Sequence, residues 1–218
     1  CITSQNSKKV FKVFNISKKI IISQIRAIEN DIGFDSIKIG LLPNIEIADT
    51  IANFLKGKKI PIVIDPVYKA SVGKEFISKK QYKECQELFY NISCLITPNI
   101  EEFEILCGTQ IKGLAEMELT LKNFTKITKQ KILLKGGDIK PNKCIDFLYN
   151  GKKVSKFSSK KIKTKNTHGT GCTLSSAIAF FLGRGFGLNR SVMMAKKYLI
   201  KAIKNAPKLN LEYGPLGH

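Results

Sequence analysis

Short β-branched runs alternate with longer amphipathic stretches along this chain, which predicts an α/β architecture with a mainly parallel sheet. Ser17 can cap a helix whose apolar positions Ile21, Ile25 and Ile28 follow helical spacing toward Gly33. Residues 36–42 read as a strand, Pro43-Asn44 as a turn, and 45–55 as an amphipathic helix stopped at Gly57. A buried-type strand at 60–64 runs into Asp65-Pro66. A helix over 75–90 and a strand at 94–96 follow, the latter ending at Thr97-Pro98-Asn99. Residues 101–107 make a short helix closed by Gly108, and 114–128 a longer one. The strand at 132–134 meets Lys135-Gly136-Gly137. Residues 144–163 then alternate around Asn150-Gly151, a strong hairpin signal. Two last helices cover 169–182 and 188–206. No repeat, low-complexity tract or linker divides the pattern, so residues 1–218 are expected to form one domain.

The chain opens at Cys1 on what reads as a strand end. At 218 residues, with 43% hydrophobic and 25% charged positions, it has the composition of an ordinary globular protein. No apolar run nears the roughly 20 residues of a membrane-spanning helix, and the first residues, with Lys8 and Lys9 following the polar Ser4-Gln5-Asn6, do not read as a signal peptide. A cytoplasmic protein with no membrane partner is expected.

The net charge of +20 raises the question of nucleic acid. Yet only Arg26, Arg184 and Arg190 among the 37 basic residues are arginine, and no basic stripe is interleaved with aromatics. Abundant lysine, isoleucine and asparagine fit an AT-rich coding bias, so no nucleic-acid partner is expected. The positive field still favours anionic substrates such as nucleotides. The six cysteines form no CxxC pair, and the only histidines are His168 and His218, which argues against a structural zinc site.

In open α/β sheets ligands bind beyond the carboxyl ends of the strands. Four such ends carry polar or glycine-rich residues here: Gly40, Asp65-Pro66, Thr97-Pro98-Asn99 and Lys135-Gly136-Gly137. The sharpest segment is Asn166-Thr167-His168-Gly169-Thr170-Gly171-Cys172-Thr173, immediately before an apolar helix. Its glycines and free amides suit an anion, although a glycine-rich helix start without ligand has the same spacing. Cys172, in the first helical turn, reads either as a thiolate-prone base or as a partly buried structural cysteine.

The segment 166–173, continued by Leu174-Ser175-Ser176-Ala177, resembles the anion-hole and catalytic segment of hydroxymethylpyrimidine/phosphomethylpyrimidine kinases, a branch of the ribokinase superfamily. Cysteine at 172, where most ribokinase relatives carry aspartate, is similar to that branch. Agreement continues in order through Lys38-Ile39-Gly40-Leu41-Leu42, Asp65-Pro66-Val67, Thr97-Pro98-Asn99-Ile100-Glu101-Glu102, Lys135-Gly136-Gly137-Asp138, Asp146-Phe147-Leu148-Tyr149 and Gly214-Pro215-Leu216-Gly217-His218.

The resemblance implies a ribokinase-like three-layer α/β/α fold. It implies ATP- and Mg²⁺-dependent phosphorylation of 4-amino-5-hydroxymethyl-2-methylpyrimidine and then of its monophosphate, in thiamine biosynthesis, by a homodimer. Gln5 would hydrogen-bond the aminopyrimidine, and backbone near Val67 would orient it. Asn99, Lys135 and Gly137 would bind nucleotide, and Glu102 would hold magnesium, directly or through water. Gly169, Thr170 and Gly171 would form the anion hole, with Cys172 as base. Three departures accompany the match. Family members begin earlier, with a strand and a glycine-rich loop over the substrate, so the chain is expected to lack a central strand and one pocket wall. Leu41 replaces a frequent methionine, and Asp138 replaces a histidine. A pyridoxal or pyridoxine kinase and a non-catalytic ligand-binding remnant are the alternatives.

Overall fold

The structure, a computed structural model, describes residues 1–137, 139, 142–209, 211 and 213–218. Six strands lie side by side in chain order: β3 (Ile37–Ile39), β4 (Ile62–Ile64), β5 (Leu95–Ile96), β6 (Ile132–Leu134), β7 (Lys143–Tyr149) and β8 (Val154–Lys160). Pairing is parallel from β3 to β6 and antiparallel from β6 to β8. The mainly parallel sheet is as expected.

Alternate residues of each strand feed opposite faces. On one face Ile62, Ile64 and Ile96 meet α2 (Ile45–Leu55) and α3 (Lys79–Glu87), joined by Leu106 of α4 (Ile100–Cys107). Along the same face Ile132, Leu134 and Phe147 meet Phe103 of α4 and Met117 and Leu121 of α5 (Leu114–Thr128). On the other face Val63, Leu95, Leu133 and Leu148 pack on α6 (Thr170–Gly183) and α7 (Leu188–Lys204). The result is three layers, α/β/α. Each fully buried aliphatic side chain contributes roughly 1.5–3 kcal/mol. A one-residue slip would exchange the faces of a whole strand, so this burial fixes the register.

The helix starts follow their caps. Ser17, Asn44 and Ser78 accept hydrogen bonds from the amides of Ile20, Ile47 and Gln81. The predicted helix over 75–90 is corrected to Lys79–Glu87. Glu75 instead forms an antiparallel bridge with Lys69, which holds the chain extended until Ser78 can cap. The start of the chain is also richer than the strand end expected there. β1 (Ile2–Gln5) and β2 (Val10–Phe14) form a separate antiparallel ribbon, whose turn is closed by Asn6 Oδ1 accepting the amides of Lys8 and Lys9. Helix α1 (Lys18–Asp31) buries no side chain fully, and Lys18 pairs with Glu46 of α2 at 2.8 Å. Among the described residues no helix is long and apolar enough to cross a membrane.

Candidate active site

The carboxyl edge of the parallel strands gathers the chemistry. Asp65 leaves β4 with its amide donating to Ile39 O at 2.8 Å, and its side chain is only 3% exposed. Lys135 leaves β6 with its amide donating to Pro98 O at 2.9 Å, in a parallel bridge with Asn99. That tether brings Lys135 Nζ to 3.1 Å from Asp65 Oδ1. Lys38, in the middle of β3, places its Nζ 3.6 Å from Asp65 Oδ2. Thr97 Oγ1 lies 3.4 Å from Asp65 Oδ1.

Two lysines therefore share one buried carboxylate. Burial works to raise the Asp65 pKa, but the charges of Lys135 and Lys38, with hydrogen bonds from Lys135 and Cys172, outweigh it and hold the carboxyl below its usual range. Burial likewise opposes the charge on Lys135, yet the Asp65 and Glu102 carboxylates raise its pKa. Both directions describe an ionised pair. Around Asp65 alone the two lysines leave one positive charge in excess, which Glu102 offsets in part, and their ammonium groups are placed to meet a polyanion.

Asn99 and Glu102 open α4 as a capping box: Asn99 Oδ1 accepts the Glu102 amide at 2.8 Å, and Glu102 Oε2 accepts the Asn99 amide at 2.8 Å. Glu102 Oε1 also accepts the Tyr68 amide at 3.4 Å. Burial raises the Glu102 pKa against the pull of Lys135 and these amides. Both carboxylate oxygens are thus already engaged, each keeping a second lone pair. Among the described residues no group of three or more His, Cys, Asp or Glu side chains converges on a metal position. An all-protein cation cage does not fit this donor set, whereas a hydrated magnesium reached through water does.

The anion loop faces the same cluster. Gly169 caps α6 in the left-handed region, at φ 83°. Among the described residues, the amides of Gly171 and Cys172 donate to no protein acceptor, as expected of a first helical turn. A Cβ at position 171 would stand 3.3 Å from Lys135 Nζ and 3.9 Å from each Asp65 oxygen. Gly171 therefore borders the lysine's cleft directly. Thr170 differs from the expectation: its amide donates to Thr167 O at 3.3 Å and its hydroxyl to the same oxygen at 3.1 Å, so it shapes the loop and leaves anion contact to its neighbours.

Cys172 is a correction of sign. A helix N-terminus favours the thiolate. Here burial first, then the Asp65 carboxylate, push the thiol pKa up, outweighing Lys38 and Lys135. The residue is open to solvent on its outer side, so the carboxylate at its inner side is the more persuasive cause. The resting sulfur keeps its proton beside the Asp65 carboxylate.

The turn after Lys135 is pinned from below. Gly136 donates to Asp146 Oδ1 at 3.0 Å, and a side chain at 136 would collide with the Ile145 carbonyl oxygen. Asp146, 5% exposed, is in turn ion-paired to Lys196 of α7. Gly137 follows in the same turn, with its carbonyl oxygen 4.0 Å from Cys144 Sγ. The Asp138 substitution lies outside the described residues. Asp146→Ala is expected to destabilise the fold by about 2 kcal/mol by removing the buried acceptor of the Gly136 amide and the partner of the half-buried Lys196. It should also weaken nucleotide binding about tenfold, because the Lys135 turn loses its support. Lys196→Met should do markedly less to binding, since Asp146 still accepts the Gly136 amide. Urea unfolding and ATP titration of both variants measure the difference.

Of the residues singled out from sequence, Asn99, Glu102, Lys135, Gly171 and Cys172 converge, and Val67 adjoins them with its amide donating to Asp65 O at 2.8 Å. Gln5 does not join them: it is exposed on the β1–β2 ribbon, which is not part of the six-stranded sheet. Sequence reasoning placed Asp65 at the expected ligand edge and Lys38 in a matching segment, but gave neither a role of its own. The available signal was Lys38 itself, a charge between two isoleucines of a parallel strand, where only a buried counter-charge makes it tolerable. A cavity of about 590 Å³ opens beside Cys172 between α6, α7 and His218, and its lining does not include Asp65 or Lys135. The ion cluster is the better guide to chemistry, since the cavity walls are mostly apolar.

Comparison with known proteins agrees with this geometry. The model of the phosphomethylpyrimidine kinase family matches residues 1–217. A hydroxymethylpyrimidine/phosphomethylpyrimidine kinase of Aquifex aeolicus is 39% identical over 96% of this chain and 82% of its own length. Among solved structures, an ADP complex of Bacillus subtilis pyridoxal kinase superposes with a TM-score of 0.84 at 31% identity, covering 95% of this chain and 79% of that one. The phosphomethylpyrimidine kinase of Clostridium difficile 630 gives 0.78 at 30% identity, covering 92% and 83%. The fold is ribokinase-like, as the resemblance implied. With its cation-flanked carboxylate facing the free amides of α6, and a family match along nearly its whole length, the chain belongs to the phosphomethylpyrimidine kinase family.

Proposed function

We propose that this chain transfers the γ-phosphoryl group of ATP to the hydroxymethyl group of 4-amino-5-hydroxymethyl-2-methylpyrimidine, and then phosphorylates the monophosphate to the diphosphate, in thiamine biosynthesis. The observation that carries the reading is the pair of unengaged amides at Gly171 and Cys172 bordering Lys135 Nζ. Relatives in the same family bear kinase names, and one related structure holds ADP.

In this reading Lys135 binds the phosphates of the nucleotide, and the capping box at Asn99 and Glu102 presents a carboxylate to hydrated Mg²⁺ through water. Magnesium carried on ATP supplies charge neutralisation of the polyphosphate. The Gly171 and Cys172 amides, with Gly169 setting the turn, stabilise charge on the transferring group. The thiolate form of Cys172, a minor fraction at neutral pH because the resting thiol has first to release its proton to solvent, takes the proton of the attacking hydroxyl. Val67 backbone lies at the edge where the pyrimidine ring would stack, and Gln5 serves recognition from the ribbon. Exposed Ile2, Phe11 and Phe14 on that ribbon give two copies an apolar patch to share in a homodimer. The proposed setting is the cytoplasm.

The second reading, a pyridoxal kinase, is favoured by the likeness to the Bacillus subtilis enzyme. Coupled ADP release from purified protein, with the aminopyrimidine alcohol and pyridoxal assayed side by side, separates the two by their kcat/KM ratio. Pyrimidine preference is expected. A ratio favouring pyridoxal would reassign the substrate, and no ADP release with either alcohol would leave a ligand-binding remnant.

A further inference from the structure

Gly214 exchanges two backbone hydrogen bonds with the loop that leads into α6. Its amide donates to Lys165 O at 3.1 Å, and its carbonyl accepts the His168 amide at 3.2 Å. The fit is close, because a Cβ at 214 would collide with Asn166 Oδ1, and Asn166 Nδ2 is itself engaged with Pro207 O at 3.1 Å. Beyond Gly214 the chain is fastened to α7. Leu216 is buried, Gly217 donates its amide to Ala202 O at 3.0 Å, and the His218 ring stacks on Tyr198 with their centroids 6.1 Å apart. A Cβ at 217 would collide with the Asn205 carbonyl oxygen.

We propose that residues 214–218 are the positioning element of the anion loop: a clamp that ties residues 165–168 to α7 and so aims the α6 amides at Lys135. The inference rests on the phosphotransferase reading of that loop and adds the part that holds it. The physical reason is local. Gly169 takes a left-handed turn directly after His168, and no side-chain cap fixes the start of α6. Thr170 ties its own turn back to Thr167 O, and the direction of the free amides is then set by what holds that turn to the rest of the fold, which at His168 is Gly214. Residues 214–218 touch no reacting group. They are positioning residues, acting through the loop.

Gly217→Ala tests this without a direct clash with residues 165–168, since the atoms nearest its added methyl belong to Asn205 and Ala206, just past the end of α7. The variant is expected to lower kcat about thirtyfold while the Kd for ADP changes less than about threefold, because Lys135 is held from β6 and β7 rather than by the tail. Amide hydrogen exchange over residues 168–173 is expected to accelerate about tenfold or more, with the strands unchanged. Should Gly217→Ala fail to fold, a chain ending at Tyr213 takes the same measurements. Unchanged exchange at 168–173 overturns the clamp, as does a loss of kcat that merely tracks a matching loss of ADP binding and global stability. Faster exchange in a protein whose parent turns over neither alcohol upholds the clamp and removes the phosphotransferase reading instead.

Discussion

Cys172→Ala is expected to lower turnover about a thousandfold, the order associated with loss of a positioned general base. Its effect on stability should be small, because the residue is open to solvent and buries little apolar surface. The pH dependence is the sharper observable. Burial and the Asp65 carboxylate push the thiol above its ordinary value of 9.0. If the thiolate accepts the hydroxyl proton, the active fraction is small at neutral pH and grows about tenfold per pH unit. The kcat of the parent should therefore climb through pH 7 to 9 with no plateau in that range, while the alanine variant shows no such climb. A flat parental profile over those pH values would remove the thiolate from the mechanism, leaving the Cys172 amide as the residue's contribution.

The layers of this fold were legible because each strand's alternation and each helix's caps say the same thing. Helices α2 and α5 occupy the predicted residues, 45–55 and 114–128, since Asn44 and the periodic apolar positions leave no competing start. Strand β6 fills its predicted run, 132–134, whereas β3, β4 and β5 are shorter than theirs. Pairing stops where neighbouring chains diverge, as at β4, where only Ile62–Ile64 of the run from Ile60 is ladder. The β1–β2 ribbon was hidden because Ser4, Gln5, Asn6 and Ser7 interrupt any apolar alternation, and an Asn6 turn leaves little trace in composition.

At the site, motif-bearing ends such as Asn99, Lys135 and Gly171 were readable from residue type and place in the pattern. The Asp65 cluster was not. It is made by residues from three strands whose neighbouring relation in space exists only once the sheet order is known, and Asp65-Pro66 alone is ordinary turn chemistry. The sign of the Cys172 shift was hidden for the same reason. Helix position is a local property, but the carboxylate that overrides it comes from 107 residues earlier in the chain.

Asp65→Asn is expected to be the most costly single-atom change in the protein. The substitution keeps the shape and an acceptor for Thr97, but removes the carboxylate that both lysines touch and leaves Lys135 and Lys38 confronting each other with only the more distant Glu102 charge to offset them. Removing one partner of such a cluster costs about 3 kcal/mol or more, which corresponds to a fall of roughly 6–12 °C in Tm for a chain of this size. The pH dependence has a definite sign. The folded Asp65 carboxyl titrates below its unfolded value of about 3.9, so its contribution is present above that pH and is lost as pH falls through the lower, folded value. The stability gap between parent and variant, measured by urea unfolding, should be full at pH 7 and narrow only below about pH 4. Nucleotide responds in the opposite direction. The two freed lysines present more net positive charge to a polyphosphate, so the Kd for ADP should hold or tighten. Turnover should nonetheless fall about tenfold, because Lys135 loses the carboxylate that fixes its position opposite Gly171. The same loss removes a cause of the raised thiol pKa at Cys172, so the rising limb of the kcat profile should move to lower pH. Equal unfolding free energies for parent and variant at pH 7 would mean that the three charges are not coupled in the folded protein, and the anion cleft would then need another source of its positive field.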